Sequence, residues 1–319
     1  MRRIDSAVRR MKQPACIAAV GLGVLLLSAT VPVRAAEPTQ QTFASPEQAA
    51  AALAAAWGQE DRAALMKIFG AGGAKLTSSG DPVADRDARQ LLAAAYSANH
   101  KIENESDVKA VLSLGKDDFP YPIPLVKVGS AWRFDTKAGE QEILDRRIGH
   151  NELTAIDVCQ AYVEAQREYA ATNASGSGAG EYAQRLHSSA GAHDGLYWAA
   201  AAGADESPLG PLVASAEAQG YGTNAAGMRT PYHGYFFRIL KQQGPSAPGG
   251  AKDYVVNGHM TGGFAMLAFP AKYGDSGIMT FIVNRTGVVF EQNLGPATDT
   301  VARRITAYDP DESWEPTHP

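Results

Sequence analysis

Seven histidines are the most versatile chemical groups in this 319-residue chain, and their spacing offers no ready-made site. His187 and His193, with Asp194 beside the second, form the closest informative pair. Zinc needs three or four ligands at turn or helix spacing, and neither an H-E-x-x-H nor a C-x-x-C pattern occurs. Gly274-Asp275-Ser276-Gly277 could present a serine nucleophile, which requires a histidine base and a buried carboxylate. No histidine stands in an Ala-Ala-His-Cys context, so the tetrapeptide reads as the turn before an apolar strand. Ser113-Leu114-Gly115-Lys116 has S-x-x-K spacing but no accompanying Lys-Thr-Gly, and Gly70 to Lys75 lacks the spacing of a phosphate-cradling loop. The loop Asn173-Ala174-Ser175-Gly176-Ser177-Gly178 copies the start of a calcium loop, with Glu181 and Gln184 following. Calcium asks for several carboxylates. Asn173, Ser175 and Ser177 give neutral oxygens and Gln184 replaces the bidentate acid, so the copy is degenerate. No catalytic residue, metal or cofactor is assigned.

What remains is an aromatic group: Tyr197, Trp198, Tyr221, Tyr232, His233, Tyr235 and Phe236, with Asp194 and Arg238 near in sequence. Rings with polar handles suit a pocket or a protein interface. Asp194, Tyr197, Trp198, Tyr232, His233 and Tyr235 are therefore the candidate ligand- or partner-binding residues. The alternative is that the rings fill the gap between a helix and a sheet.

The elements that must position them follow from periodicity. Ser45, Pro46 and Gln48 mark a helix start, and the helix runs through an alanine-rich stretch to Trp57. Asp61 to Phe69, closed by Gly70, and Asp85 to Asn99, bearing Leu91, Leu92 and Tyr96, predict two more. Short apolar runs at Val108–Leu114, Ile123–Val128 and Ala131–Phe134 predict antiparallel strands, with the prolines at 120, 122 and 124 at an edge or bulge. From Glu140, apolar residues at three- and four-residue spacings through Tyr169 predict a long amphipathic helix, with Gly149 as a candidate break. Glu181–Leu186 and Ser207–Gln219 predict short helices. Strands are expected at Tyr232–Leu240, Tyr254–Val256, Phe264–Phe269, Ile278–Val283 and Val288–Glu291, and the acidic end beyond Asp309 is expected to fray.

The composition, 45% hydrophobic and 20% charged with a mean hydropathy of -0.21, excludes collagen-like, disordered and polytopic membrane classes. Residues 1–35 read as a secretory signal peptide, with Arg2, Arg3, Arg9, Arg10 and Lys12 before the apolar run Cys16–Leu27 and small residues at Val33 and Ala35. A periplasmic or secreted location and no stable membrane span after cleavage follow. Cleavage would remove six basic groups and one acidic group, leaving 23 against 33 and a net charge of -10, which disfavours nucleic acid as a partner. One cysteine, Cys159, would remain, expected as a small buried hydrophobe.

The fold class expected is α+β in two domains, each of helices packed on an antiparallel sheet. The three helices and the meander ending in Trp132-Arg133-Phe134-Asp135 resemble NTF2-like domains, assigned to 36–147, a likeness that implies a concave sheet. A long helix, a loop region and a four-stranded meander over 148–308 resemble the globular part of type IV pilins and pseudopilins, on Asn151-Glu152, Glu168-Tyr169-Ala170, Glu181-Tyr182-Ala183, Gly234-Tyr235-Phe236-Phe237 and the Gly277–Val289 hairpin. Residues 309–319 are left as a polar tail. The order of the halves, with Phe119-Pro120-Tyr121-Pro122-Ile123-Pro124-Leu125, Asp194-Gly195-Leu196-Tyr197-Trp198 and Pro231-Tyr232-His233-Gly234-Tyr235, resembles the exported bacterial family called domain of unknown function 2950, which implies no activity. The expected function is non-catalytic binding to another protein of the cell envelope; the alternative is an envelope enzyme or small-ligand receptor with a pocket near His233.

Overall fold

The structure, a computed structural model, describes residues 40–176, 180–199, 206–219, 221 and 230–317. The expected signal peptide at 1–35 lies outside them, as does Ser177 of the calcium-like loop. Four helices open the described chain: α1 (Pro46–Gly58), α2 (Arg62–Phe69), α3 (Gly73–Thr77) and α4 (Pro82–Ala98). Ser45 caps α1 by accepting the Gln48 amide, and Asp61 caps α2 by accepting that of Ala64. The Ala-rich face of α1 buries Ala49, Ala50, Leu53, Ala56 and Trp57, where small residues let the next layer approach closely. These helices lie with a sheet of β1 (His100–Ser106), β2 (Lys109–Leu114), β3 (Phe119–Pro120), β4 (Leu125–Val128) and β5 (Ala131–Phe134), antiparallel in the order β1-β2-β4-β5 with β3 beside β2. Leu112, Leu125, Trp132 and Phe134 meet Leu53, Trp57, Leu65 and Phe69 in one hydrophobic cluster.

Helix α5 (Thr136–Thr172) is continuous for 37 residues, about 55 Å at 1.5 Å per residue, and Gly149 does not break it. Asp135 caps its start and Asn173, left-handed at φ 51°, ends it. Its first turns touch the first cluster through Ile143, and at Gly139 an added Cβ would stand 2.5 Å from Ile123. Farther on, Ala155, Val158, Cys159, Tyr162, Val163 and Tyr169 enter a second cluster. The boundary expected between 147 and 148 thus falls inside one helix.

The second cluster is built on α6 (Gly210–Ala218), β6 (Tyr235–Leu240), the short pairs β7 (Gln242–Gln243) with β8 (Lys252–Asp253) and β9 (Val255–Val256) with β10 (His259–Met260), then β11 (Ala265–Pro270), β12 (Met279–Asn284), β13 (Val289–Asn293), α7 (Thr298–Arg304) and β14 (Glu315–Pro316). The main sheet is antiparallel in the order β6-β11-β12-β13-β14. Every residue of β11 is buried, which is why it reads as an unbroken apolar run. The chain is mixed α+β, as expected from sequence.

Several local expectations are corrected. Helix α4 starts three residues before Asp85, because Asp81 accepts the Val83 and Ala84 amides ahead of Pro82, and Leu91 is 72% exposed. Strand β1 escaped the pattern because its residues are mostly exposed and polar. Glu181–Leu186 is extended rather than helical: Tyr182 bridges Met260, and the Gln166 amide both accepts from and donates to the Ala183 backbone, as a neighbouring strand would. The polar tail does not fray as far as Thr317. β14 pairs with β13 and the Thr317 amide donates to the Val289 carbonyl, giving that edge its partner and the meander a fifth strand.

Candidate functional site

A cavity of about 470 Å³ opens between α5, α6, β6 and β11. Val158 and Tyr162 come from α5, Met266 from β11, and Tyr235, Phe236 and Phe237 from β6. The α6 wall is a single helical face: Leu209, Leu212, Val213, Ala216 and Glu217 recur at three- and four-residue spacing. Leu186, His187, Tyr221, Thr230 and Tyr232 complete it. Most of this lining is apolar, and the tyrosines contribute rings more than hydroxyls. Tyr162 donates to the Ala265 carbonyl at 3.1 Å, Tyr235 to the Met279 carbonyl at 2.8 Å and Tyr221 to Asp81 at 2.9 Å. Among the described residues only Tyr232, of these four, leaves its hydroxyl without a hydrogen bond.

Behind Tyr221 and Tyr232 lies a polar junction centred on Asp81, which is fully buried. Its Oδ1 accepts the Val83 and Ala84 amides at 3.1 and 3.0 Å; its Oδ2 accepts the Tyr221 hydroxyl at 2.9 Å and the Gly234 amide at 3.0 Å. With four donors on two oxygens, this carboxylate acts as a fixed anchor, with no free lone pair aimed at a substrate. Gly234 is left-handed at φ 74° and an added Cβ would stand 2.7 Å from the Asn151 amide nitrogen, so only glycine fits. Beside it His233 also has positive φ, 44°. Its ring packs edge-on to Tyr232 and His150, with centroids 4.5 and 5.6 Å away, and its buried Nδ1 has no hydrogen-bond partner among the described residues. Burial first, and then His150, hold the His233 imidazole below its ordinary pKa. Burial, reinforced by the charge of Asp81, pushes the Tyr221 hydroxyl well up.

Next to the junction, Asp85 accepts the Ser79 amide and hydroxyl, yet burial outweighs these bonds and raises its pKa. Arg147 donates to the Lys75 and Leu76 carbonyls at the end of α3. Helix α4 also reaches the cavity wall directly, since Arg86 donates to the Gln219 carbonyl at the end of α6, 2.6 Å away.

The residues predicted from sequence separate into two places. Tyr232 and Tyr235 line the cavity and His233 stands behind it, joined by Tyr221. Asp194 is elsewhere: it accepts the Ser189 amide and hydroxyl, which together lower its pKa, and it lines a polar pocket of about 210 Å³ with Ser175, Glu181, Arg185 and Lys241. Trp198 stacks on His193 and Tyr197 packs edge-on to His187, so Tyr197 reaches the cavity only through that histidine. In the calcium-like loop Asn173 serves as the cap of α5, Ser175 donates to Glu181, and Glu181 is bonded to His259 at 3.1 Å. Among the described residues no group of three or more His, Cys, Asp or Glu is placed to hold a metal.

Ser276 is fully buried, with its hydroxyl bonded to the Lys272 backbone and its carbonyl accepting from Asn151. That serine closes a turn and faces no base. Cys159 is buried and burial pushes its thiol up, away from reactivity. Sequence reading missed Asp81, His150 and the α6 face. A signal for Asp81 existed in Asp81-Pro82, an N-cap followed by proline at the first helical position. No local signal ties it to Tyr221, 140 residues away.

Among the described residues no helix is long and apolar enough to cross a membrane. No curated protein and no solved structure matches the chain. The model of the family described as protein of unknown function (DUF2950) matches residues 40–317, most of the sequence and all the elements named above, so the chain belongs to that family.

Proposed function

We propose that this DUF2950 protein is an exported, non-catalytic binding protein of the cell envelope, and that its ligand is an apolar small molecule held between α5, α6 and β6. The observation that carries this reading is the cavity of about 470 Å³, within the range of ligand sites and walled by aliphatic and aromatic side chains. Of the two partner classes raised by the sequence, an envelope protein or a small ligand near His233, this largely apolar cavity favours the ligand. Export rests on the basic and apolar pattern of residues 1–35. The order of α1–α4 before a sheet, and of α5 before a meander, supports the NTF2-like and pilin-like likenesses of the two halves.

The test is titration of the purified protein with the neutral fluorophore N-phenyl-1-naphthylamine, in parallel with Ala216→Trp, which puts an indole into the cavity from α6. Saturable one-to-one enhancement, lost in the variant at an unchanged melting temperature, is the expected result. Absence of saturable binding, or binding indifferent to the indole, overturns the proposal.

A further inference from the structure

We infer that the cavity selects a cationic amphiphile, an apolar body carrying one positively charged amine; the inference rests on the cavity being the binding site. The lining holds an acid, Glu217, at the exposed end of the α6 face, and among the described lining residues no lysine or arginine. Arg86, which reaches the end of α6, is already engaged by the Asp87 carboxylate and the Gln219 carbonyl. A ligand carboxylate or phosphate seated here would meet no lysine or arginine among the described lining residues, and a buried charge without a partner is costly. An ammonium meets the Glu217 carboxylate in a lining that also holds Tyr221, Tyr232, Phe236 and Phe237, and aromatic rings attract cations through their quadrupoles. Three of the four tyrosine hydroxyls are already engaged, so the described walls offer apolar and aromatic area with few free hydroxyls. An apolar body with a single cationic head uses what this lining offers. The formal charge of the chain, -5, acts in the same direction at longer range.

Three ten-carbon probes of equal length separate the head groups: protonated decylamine, decanol and decanoate, each displacing N-phenyl-1-naphthylamine at pH 7 and low salt. Decylamine is expected to bind about 10-fold or more tightly than decanoate, with decanol between them, and added salt should narrow the gap. Glu217→Gln should shrink the amine-to-acid ratio several-fold and Glu217→Lys should invert it. Decanoate binding as well as the amine, or a ratio indifferent to both substitutions, overturns the head-group assignment while leaving the cavity as a site. Failure of all three to displace the probe overturns both.

Discussion

Asp81 does separate work with each oxygen, and substitution can pull the two apart. Oδ1 caps α4; Oδ2 holds Tyr221 and Gly234. Asparagine caps a helix about as well as aspartate, so Asp81→Asn keeps the first job. Its amide nitrogen then faces the Gly234 N–H, donor against donor, while the Tyr221 hydroxyl can rotate to accept. One bond to a charged acceptor is lost, at about 1.5–3 kcal/mol, and a buried N–H is left unpaired. Asp81→Ala loses the cap as well, about 1 kcal/mol, together with the tyrosine bond, for a total of about 4–7 kcal/mol. Urea unfolding read by far-UV circular dichroism measures both. With a slope of about 3 kcal/mol/M, the asparagine variant should unfold about 0.5–1 M earlier than the parent. Tyr221→Phe completes a double-mutant cycle with Asp81→Ala, and the pair should cost about 1–2 kcal/mol less than the sum, because each single change already breaks the same bond. An asparagine variant with the parental midpoint, or an alanine variant no worse than a lost cap, would refute the anchoring role.

His233 is held below its ordinary pKa of about 6.5, so below that pH the unfolded chain binds more protons than the native one, and stability falls as pH drops toward the native pKa. His233→Asn, which tolerates the left-handed backbone, should flatten the fall in urea midpoint between pH 7.5 and 5.5; an identical slope in both proteins refutes this. Arg86→Ala removes the bond to the end of α6 and should weaken N-phenyl-1-naphthylamine binding several-fold with little change in melting temperature, because the wall must then be ordered on binding; unchanged affinity argues against it. In a Cys16→Ser background, Cys159 should resist Ellman's reagent until the protein unfolds, and rapid labelling of the native state would show that the core is more open than its packing.

Legibility in the sequence tracked the range of the interaction. Helices α1 and α2, the strands β11 to β13 and the burial of Cys159 were readable because caps, turns and periodicity are local. Strand β1 and strand β14 were not, since a polar segment becomes a strand only when a neighbour supplies its hydrogen bonds. Glu181–Leu186 misled for the same reason: its helical spacing lost to a pairing set up by Gln166 and Met260. At the site, aromatic density near Tyr232 was a usable signal, whereas grouping Asp194, Tyr197 and Trp198 with it relied on closeness in sequence that the fold does not convert into closeness in space.

Two contacts from the start of α4 tie down the far end of the cavity wall formed by α6. The face of α6 is only partly buried, and its far end is tied down by Arg86 on the Gln219 carbonyl and by Asp81 on the Tyr221 hydroxyl. Arg86 belongs to, and Asp81 caps, the helix that packs on α1 beside the first cluster, while α5, which also lines the cavity, enters both clusters. A ligand seated between α5 and α6 would contact two elements of the second cluster, with the end of α6 held by residues from beside the first. A ligand bound there would stabilise the folded state by mass action, through contacts that the start of α4 holds in place. Among the described residues none before Val158 lines the cavity, yet Asp81 and Arg86 hold the end of α6 and the Tyr221 ring that do line it.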